Sequence, residues 1–435
     1  MSIPVFRFAP WRPPQWEAAE LPPSLPLPRL ASPAVVVSLL VVVGLILFVS
    51  LGPHVWRQDP SQQWLSQISR GPLPATEVLV VADDSRWQPR RKLRGGQLTV
   101  VEANTERVRL RWPAVIGTDR FQVYRNLASE PGIGLPLVTT EAVFFEDKLQ
   151  LRHRIYRYTV VDAATGVMLF ARDVRPVPAI SLFEAQLQGL APLTGAAPDY
   201  VTLPAHPLGT DALGRDILAR LMAGGRTSLF VGVVAPLLFI SVGCLLGAIS
   251  GLAGGWVDQV LMRLVDFVVA LPFLLFMILL RVAFGIGPGE NGIAPLILAL
   301  LLLSWPSSAR LIRGQVLALR GQAFVEAARL AGVNRAVLIW RHLMPNVLPL
   351  ILVAFSFAIP QAIFTEAFLS FIGMGVSPPT TSWGAMCNDG IKTLLSHPRQ
   401  LLLPALLISI SVLAFNTLGD ALRDATDRRK GVVKA

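Results

Sequence analysis

The chain has 435 residues, of which 53% are hydrophobic and 15% charged, and its formal net charge is +11. A soluble domain carries about 25% charged residues, so this composition excludes an ordinary soluble globular protein and points to a polytopic membrane protein. The positive balance does not indicate nucleic acid, because many arginines stand in short loops beside apolar spans, and the two cysteines, Cys244 and Cys387, form no C-x-x-C pair and no disulfide or metal framework.

Residues 1–33 are proline-rich, with Trp11 and Trp16, and read as a disordered or surface-lying tail. Ala34–Leu51 is an uncharged apolar run of 18 residues. At 1.5 Å per residue such a run covers roughly 27 Å, close to the ~30 Å hydrocarbon core. It is longer than the roughly 7–15 apolar residues of a cleaved signal and begins later, so residues 34–52 are read as an uncleaved first helix.

Residues 53–205 change character, with interleaved arginines and acids and a strand-like alternation. Val108–Trp112 reads VRLRW, apolar on one face and basic on the other. Phe121–Tyr124 follows as FQVY, and period two puts Tyr156, Tyr158 and Val160 on one face. Turn residues such as Gly117-Thr118-Asp119 separate the runs, which predicts a β-sandwich. Residues 97–175 resemble a fibronectin type III module, with Trp112 as the core tryptophan and Tyr156 as the tyrosine-corner residue; an unrelated small β domain is the alternative. Residues 57–96 give no assignment, and residues 177–205 read as a partly helical connector.

Residues 206–220 read HPLGTDALGRDILAR. Asp211 is placed to cap the following helix, and Arg215 and Asp216 offer charge partners at the membrane surface. No nucleophile–base pair is apparent, so Gly209, Thr210, Asp211, Gly214, Arg215 and Asp216 are expected to be structural. Leu229–Leu252 is the second apolar span, with Gly232, Gly243, Gly247 and Gly251 near helical spacing for close packing in lipid. Val265–Phe284, containing Pro272, is the third span, and a glycine-rich turn follows at 285–292. The fourth runs from Ile293 to Ser308 or beyond.

Next comes FVEAARLAGVNRAVLIWRHLMPNVLP, residues 324–349. Phe324–Ala331 holds strong helix formers and small residues. Gly332 suits the left-handed position just past a helix end, and Asn334 suits the cap of the next helix. Small Ala327 and Ala328 are expected to leave a nearly flat face that a partner protein approaches closely, with Glu326 accepting hydrogen bonds from it. The alternative is an amphipathic loop helix lying on lipid. Val347–Phe368 is the fifth span, with Pro349 and Pro360, and Leu401–Leu418 is the sixth.

Glu326-Ala327-Ala328, Gly332 and the ending His342-Leu343-Met344-Pro345-Asn346 resemble the EAA loop of ABC-type import permeases, in the branch that moves dipeptides, oligopeptides and nickel. Residues 206–216, Ser370–Met386 (SFIGMGVSPPTTSWGAM) and Asn416–Asp424 (NTLGDALRD) resemble further stretches of that branch. The resemblance covers roughly residues 200–428 and the first helix. It implies an all-α membrane domain of six transmembrane helices with the type I importer permease fold, residues 206–425, and an inserted β-sandwich-like extracytoplasmic domain. It further implies an inner-membrane subunit that pairs with a homologous permease, two cytoplasmic ATPases and a periplasmic substrate-binding protein. ATP and Mg would then sit on the ATPases, with no cofactor in this chain. Glu326, Ala327, Ala328 and Gly332 would dock an ATPase, with His342, Pro345 and Asn346 shaping the loop's exit. The large insertion departs from the family's short outer loop.

Arginine bias sets the orientation. The 309–346 loop carries Arg310, Arg313, Arg320, Arg329, Arg335 and Arg341 against Glu326, and the tail carries Arg423, Arg428, Arg429, Lys430 and Lys434. Loops of opposite parity carry little, such as Arg281 with Glu290. Both termini, including the 426–435 tail, are therefore expected in the cytoplasm and the insertion outside.

No G-x-x-x-x-G-K-[ST] phosphate loop occurs; Gly225-Arg226-Thr227-Ser228 has arginine in place of the lysine. Energy from ATP must then come from another polypeptide. Asp266, Arg281 and Glu366 lie near span ends rather than at their centres, which disfavours an ion-coupled secondary carrier while leaving it open through Glu366. Glu366 is a candidate outer gate; a headgroup-level capping acid is the alternative. His54, His153, His206, His342 and His397 have no metal-ligand spacing. A membrane-anchored adhesion or receptor protein that uses the β domain is the other alternative, and nothing in the sequence names the substrate.

Overall fold

The computed structural model describes residues 33–82, 87, 89, 96–148, 151–285 and 292–433, with residues 426–433 described by backbone alone. The proline-rich tail, the turn at 286–291 and the last basic side chains lie outside the described residues. The chain divides into two compact units, Met1–Phe48 with Gly225–Ala385 and Ala405–Ala435, and Val49–Gly224 with Met386–Pro404.

The first helix, α1 (Pro33–Val55), carries apolar residues on all sides. In the second unit, the segment that gave no assignment supplies strand β1 (Thr76–Val81). The sandwich follows as β2 (Thr99–Ala103), β3 (Val108–Arg111), β4 (Phe121–Leu127), β5 (Leu135–Thr140), β6 (Phe144–Asp147), β7 (Tyr156–Asp162) and β8 (Met168–Val174). Three strands pair antiparallel in the order β2-β3-β6 and four in the order β5-β4-β7-β8. Alternation decides the core: Val108, Leu110 and Trp112 turn inward from β3, against Phe121, Val123, Tyr158 and Val160. Arg109, on the opposite face of β3, is buried too, because Glu102 and Glu146 hold it at 3.0 and 2.8 Å. Burial, reinforced by Asp147, pushes the Tyr158 phenol above its ordinary range, and its hydroxyl donates to Asp147 at 2.8 Å.

The connector is less helical than its composition predicts. It contains β9 (Ala179–Ser181), the short α2 (Leu182–Leu187) capped by Ser181, and β10 (Tyr200–Leu203). These make a third sheet in the order β10-β1-β9, parallel between β1 and β9. Pairings of three and four residues between segments a hundred or more residues apart leave no local pattern to read.

The first unit is helical. It is built from α3 (Ile217–Ala253), α4 (Gly255–Val269), α5 (Phe273–Ala283), α6 (Ile293–Leu319), α7 (Ala323–Leu330), α8 (Arg335–Val337), α9 (Met344–Phe371), α10 (Trp383–Ile391) and α11 (Arg399–Val433), of which α3, α10 and α11 extend beyond it. Among the described residues, five helices, at Pro33–Val55, Ile217–Ala253, Ile293–Leu319, Arg335–Phe371 and Arg399–Ala425, are long and apolar enough to cross a membrane. The predicted third span is not one rod. It is the pair α4 and α5, bent by 85°. Pro272 has no N–H to continue the ladder, and its ring collides with the carbonyl four residues back, so the helix stops before it. A count of six holds only if this pair is one span.

A Cβ at Gly247 would strike the Ala309 carbonyl, so α3 and α6 meet at backbone distance there. Two arginines of α6 reach α4: Arg313 grips Asp258 through two bonds of 2.5 and 2.6 Å, and Arg310 meets Asp266 at 2.7 Å. These arginines, read from sequence as orientation signals, are also helix ties.

Candidate functional site

The elbow between α6 and α9 is assembled from local rules. α7 ends in a Schellman arrangement: Val333 N–H bonds the Ala328 carbonyl at 3.1 Å and Gly332 N–H the Arg329 carbonyl at 3.0 Å. Gly332 takes φ of +75°, the left-handed conformation its type allows. Asn334 then caps α8, its side chain accepting from Ala336 N–H at 3.1 Å. The second arm does not stop at α8. It passes through a π turn at Leu338–Leu343 straight into α9. Pro345 explains the wide turn, since an α-helical path would drive its ring onto the Arg341 carbonyl. Asn346 offers its side-chain amide to the His342 carbonyl at 2.7 Å. The H-x-x-P-N spacing thus brings His342, Pro345 and Asn346 together as one backbone device.

The two alanines part company. Val325 and Ala328 point into a core with Leu338, Ile339, Leu343 and residues of α3 and α6. Glu326 and Ala327 are exposed, as are Phe324 and Leu330. The expectation that Ala328 shares a free flat face is therefore corrected: at two turns of α7, period 3.6 puts Val325 and Ala328 on the inner stripe. The free face is Phe324, Glu326, Ala327 and Leu330, with Trp340 63% exposed on the other arm.

The HPLGTDALGRD stretch folds as a knot in the second unit. Asp216, not Asp211, caps α3: its Oδ1 accepts from Ala219 N–H at 2.6 Å. Its Oδ2 holds the fully buried His206 at 2.6 Å, and Trp56 donates to Oδ1 at 3.3 Å. Asp211 sits one turn too early to cap. It accepts from Leu213 and Arg215 N–H, at 2.8 and 2.9 Å, and pairs with the Arg215 and Arg220 side chains. Both arginines also reach Asp389 at 3.0 Å. Gly209 and Gly214 hold positive φ where a Cβ would strike the carbonyls of Arg70 and Trp64. Thr210 hydrogen-bonds Arg70 N–H and the Gln67 carbonyl. The stretch clasps residues 64–73.

A groove of about 650 Å³ opens among α3, α5, α6 and α9. Its polar lining comes from Ser304, Ser307, Ser308, Gln361 and Thr365 among phenylalanines, leucines and alanines. No ionisable residue lines it among the described residues. These five were not singled out from sequence. The available signal was hydroxyl and amide groups at i, i+3, i+4 in the fourth span and i, i+4 in the fifth. Glu366 does not line the groove. It is fully enclosed, taking hydrogen bonds from Ser228 and Ser370 at 2.7 Å each and from Ser382.

Several known proteins share this sequence pattern. The family described as "binding-protein-dependent transport system inner membrane component" matches residues 243–432. The oligopeptide transport system permease protein OppC of Bacillus subtilis (strain 168) is 43% identical over 222 residues, covering 51% of this chain and 71% of the relative. Its counterpart in Escherichia coli (strain K12) is 38% identical over 293 residues, covering 65% and 94%. Among solved structures, a chain of the inward-facing MetNI methionine ABC transporter aligns with a TM-score of 0.38 at 18% identity, covering 48% of this chain and 96% of that one.

Proposed function

Because the chain belongs to the binding-protein-dependent transport system inner membrane components, we propose that it is the permease subunit of an ATP-driven importer of peptides. It forms half of the translocation channel beside a homologous permease. Two separate ATPase subunits grip the elbows, and a periplasmic binding protein delivers substrate. The observation that carries this reading is the free face of α7, Phe324, Glu326, Ala327 and Leu330, held out from a doubly capped elbow.

The mechanism follows from that stiffness. The elbow continues unbroken through the π turn into α9. Force applied by an ATPase to α7 therefore moves α9, and α9 carries Gln361 and Thr365 of the groove. The groove's hydroxyl and amide groups offer hydrogen bonds to a peptide backbone and favour no side-chain charge. With no ionisable group among its described lining residues, the groove offers a proton-coupled carrier no titrating side chain. The chain has both termini in the cytoplasm, six spans with α4 and α5 counted as one, and the β domain outside.

We read the seven-stranded sandwich as fibronectin type III-like. Supporting this are the three-and-four strand division and the tyrosine corner, in which Arg152 N–H bonds the Tyr156 hydroxyl at 3.0 Å. Its role is contact with the binding protein at the channel entrance.

The test is uptake of labelled tetra-alanine by vesicles containing the whole complex, co-purified from native membrane. Uptake is expected only with internal-facing ATPase and ATP. Uptake that proceeds equally without ATP, or a chain that copurifies with no ATPase, would overturn the reading.

A further inference from the structure

Within the second unit, three guanidinium groups and an imidazole stand together without an acid. Arg399 opens α11, the helix whose Arg399–Ala425 segment is apolar enough to span a membrane. Its guanidinium donates to the backbone carbonyl of Arg70, while its Nε is buried with no partner. Arg70 is half-buried and has only a long 3.5 Å bond to the Ser66 carbonyl. Arg152 comes from the β6–β7 connection, beside the Tyr156 hydroxyl. His397 precedes α11 by two residues.

These groups sense one another. Burial first, then Arg152, lowers the Arg70 guanidinium from its ordinary range. Burial, then Arg399 and Arg152, lowers His397. No carboxylate pairs with any of the four among the described residues. Elsewhere in the unit Arg109, Arg125, Arg157, Arg215 and Arg220 each have an acid. Like charges gathered at a partly desolvated place are unfavourable unless an anion completes them.

We propose that Arg70, Arg152 and Arg399, with His397, form a phosphate-binding site whose ligand is the phosphate of a phospholipid headgroup. Phosphate matches the planar forks of arginine through paired, charge-assisted hydrogen bonds. A headgroup is the source favoured by position, since Arg399 is the residue at which α11 passes from its loop into an apolar span, the level where headgroup phosphates lie. The bound lipid would fasten residue 70, the sandwich edge at residue 152 and the start of α11 to one another.

The experiment uses the full chain in detergent. Its melting temperature is followed while short-chain phosphatidylglycerol, diacylglycerol of the same chains, or inorganic phosphate is titrated in. Phosphatidylglycerol is expected to raise it saturably and diacylglycerol to leave it unmoved. Arg152→Gln should need about tenfold more phosphatidylglycerol for half effect, the worth of one charge-assisted hydrogen bond. Arg157→Gln, whose guanidinium is already paired with Asp173, should titrate like the wild type. Saturation by inorganic phosphate that competes with the lipid and weakens in Arg152→Gln would support the phosphate site with a free ion as its source. No response to either phosphate, or an unchanged response in Arg152→Gln, would overturn the site. An equal response to diacylglycerol would do the same.

Discussion

Ser228 of α3 donates a 2.7 Å hydrogen bond to Glu366 of α9, and both side chains are completely buried. The same serine oxygen accepts from Trp383 N–H at 3.2 Å, so one polar knot joins α3, α9 and the start of α10. Ser370 adds a second link, receiving Val376 N–H at 3.1 Å while donating to Glu366. Glu366 is thus a fastener behind the groove wall, one residue from Thr365 on the wall itself.

This arrangement separates stability from transport. Glu366→Ala removes the shared acceptor and leaves several buried hydroxyls unpaired, at about 1–3 kcal/mol for each such group. The purified complex is expected to melt several degrees lower. Glu366→Gln keeps an acceptor and the volume, so its uptake should stay within about twofold of the wild type once normalised to folded protein. Abolished uptake in Glu366→Gln with unchanged melting would support a gate role instead.

The elbow gives a paired contrast. Ala327 is exposed and Ala328 is part of the core around Val325, Leu338 and Leu343. Ala327→Trp should leave melting unchanged and sharply reduce ATPase co-purification, because bulk is added only on the free face. Ala328→Trp overpacks the core at a cost of about 1–3 kcal/mol, so it should lower melting and docking together. Equal ATPase recovery in Ala327→Trp and wild type would remove α7 as the docking face.

How far the sequence carried the fold depended on whether a rule was local. Period two along Val108–Trp112 and Tyr156–Val160 was legible because only one face of each strand had to be apolar. Gly332 and Asn334 were legible because caps need particular residue types at fixed offsets. The β1, β9 and β10 sheet was not, since its pairing joins short segments brought together by the intervening sandwich. The α4–α5 break turned on whether Pro272 kinks or ends a helix, and composition does not distinguish these. Glu366 was judged by its distance from a span end, whereas its setting comes from serines 138 residues before it and four after it. Ala328 was misjudged because two adjacent alanines look alike in sequence, and only the inner stripe of α7 tells them apart.

Asp216 takes the cap that the sequence assigned to Asp211 and also holds His206, and the third prediction turns on this. One oxygen caps α3 through Ala219 N–H; the other holds His206, which is fully buried. Loss of an N-cap costs about 0.5–2 kcal/mol. A buried group stripped of its partner costs about 1–3 kcal/mol more. Asp216→Ala should therefore cost roughly 1.5–5 kcal/mol, the sum of the two. His206→Phe combined with Asp216→Ala removes the stranded imidazole and should recover part of that loss, leaving mainly the cap. The check is a double-mutant cycle on the melting of the full chain. Additive losses would mean that the pair contributes nothing, and the buried dyad would then be incidental to the knot that starts α3. A clear non-additive recovery is expected, because Trp56 and Trp64 pack around the same pair and leave it no water to turn to.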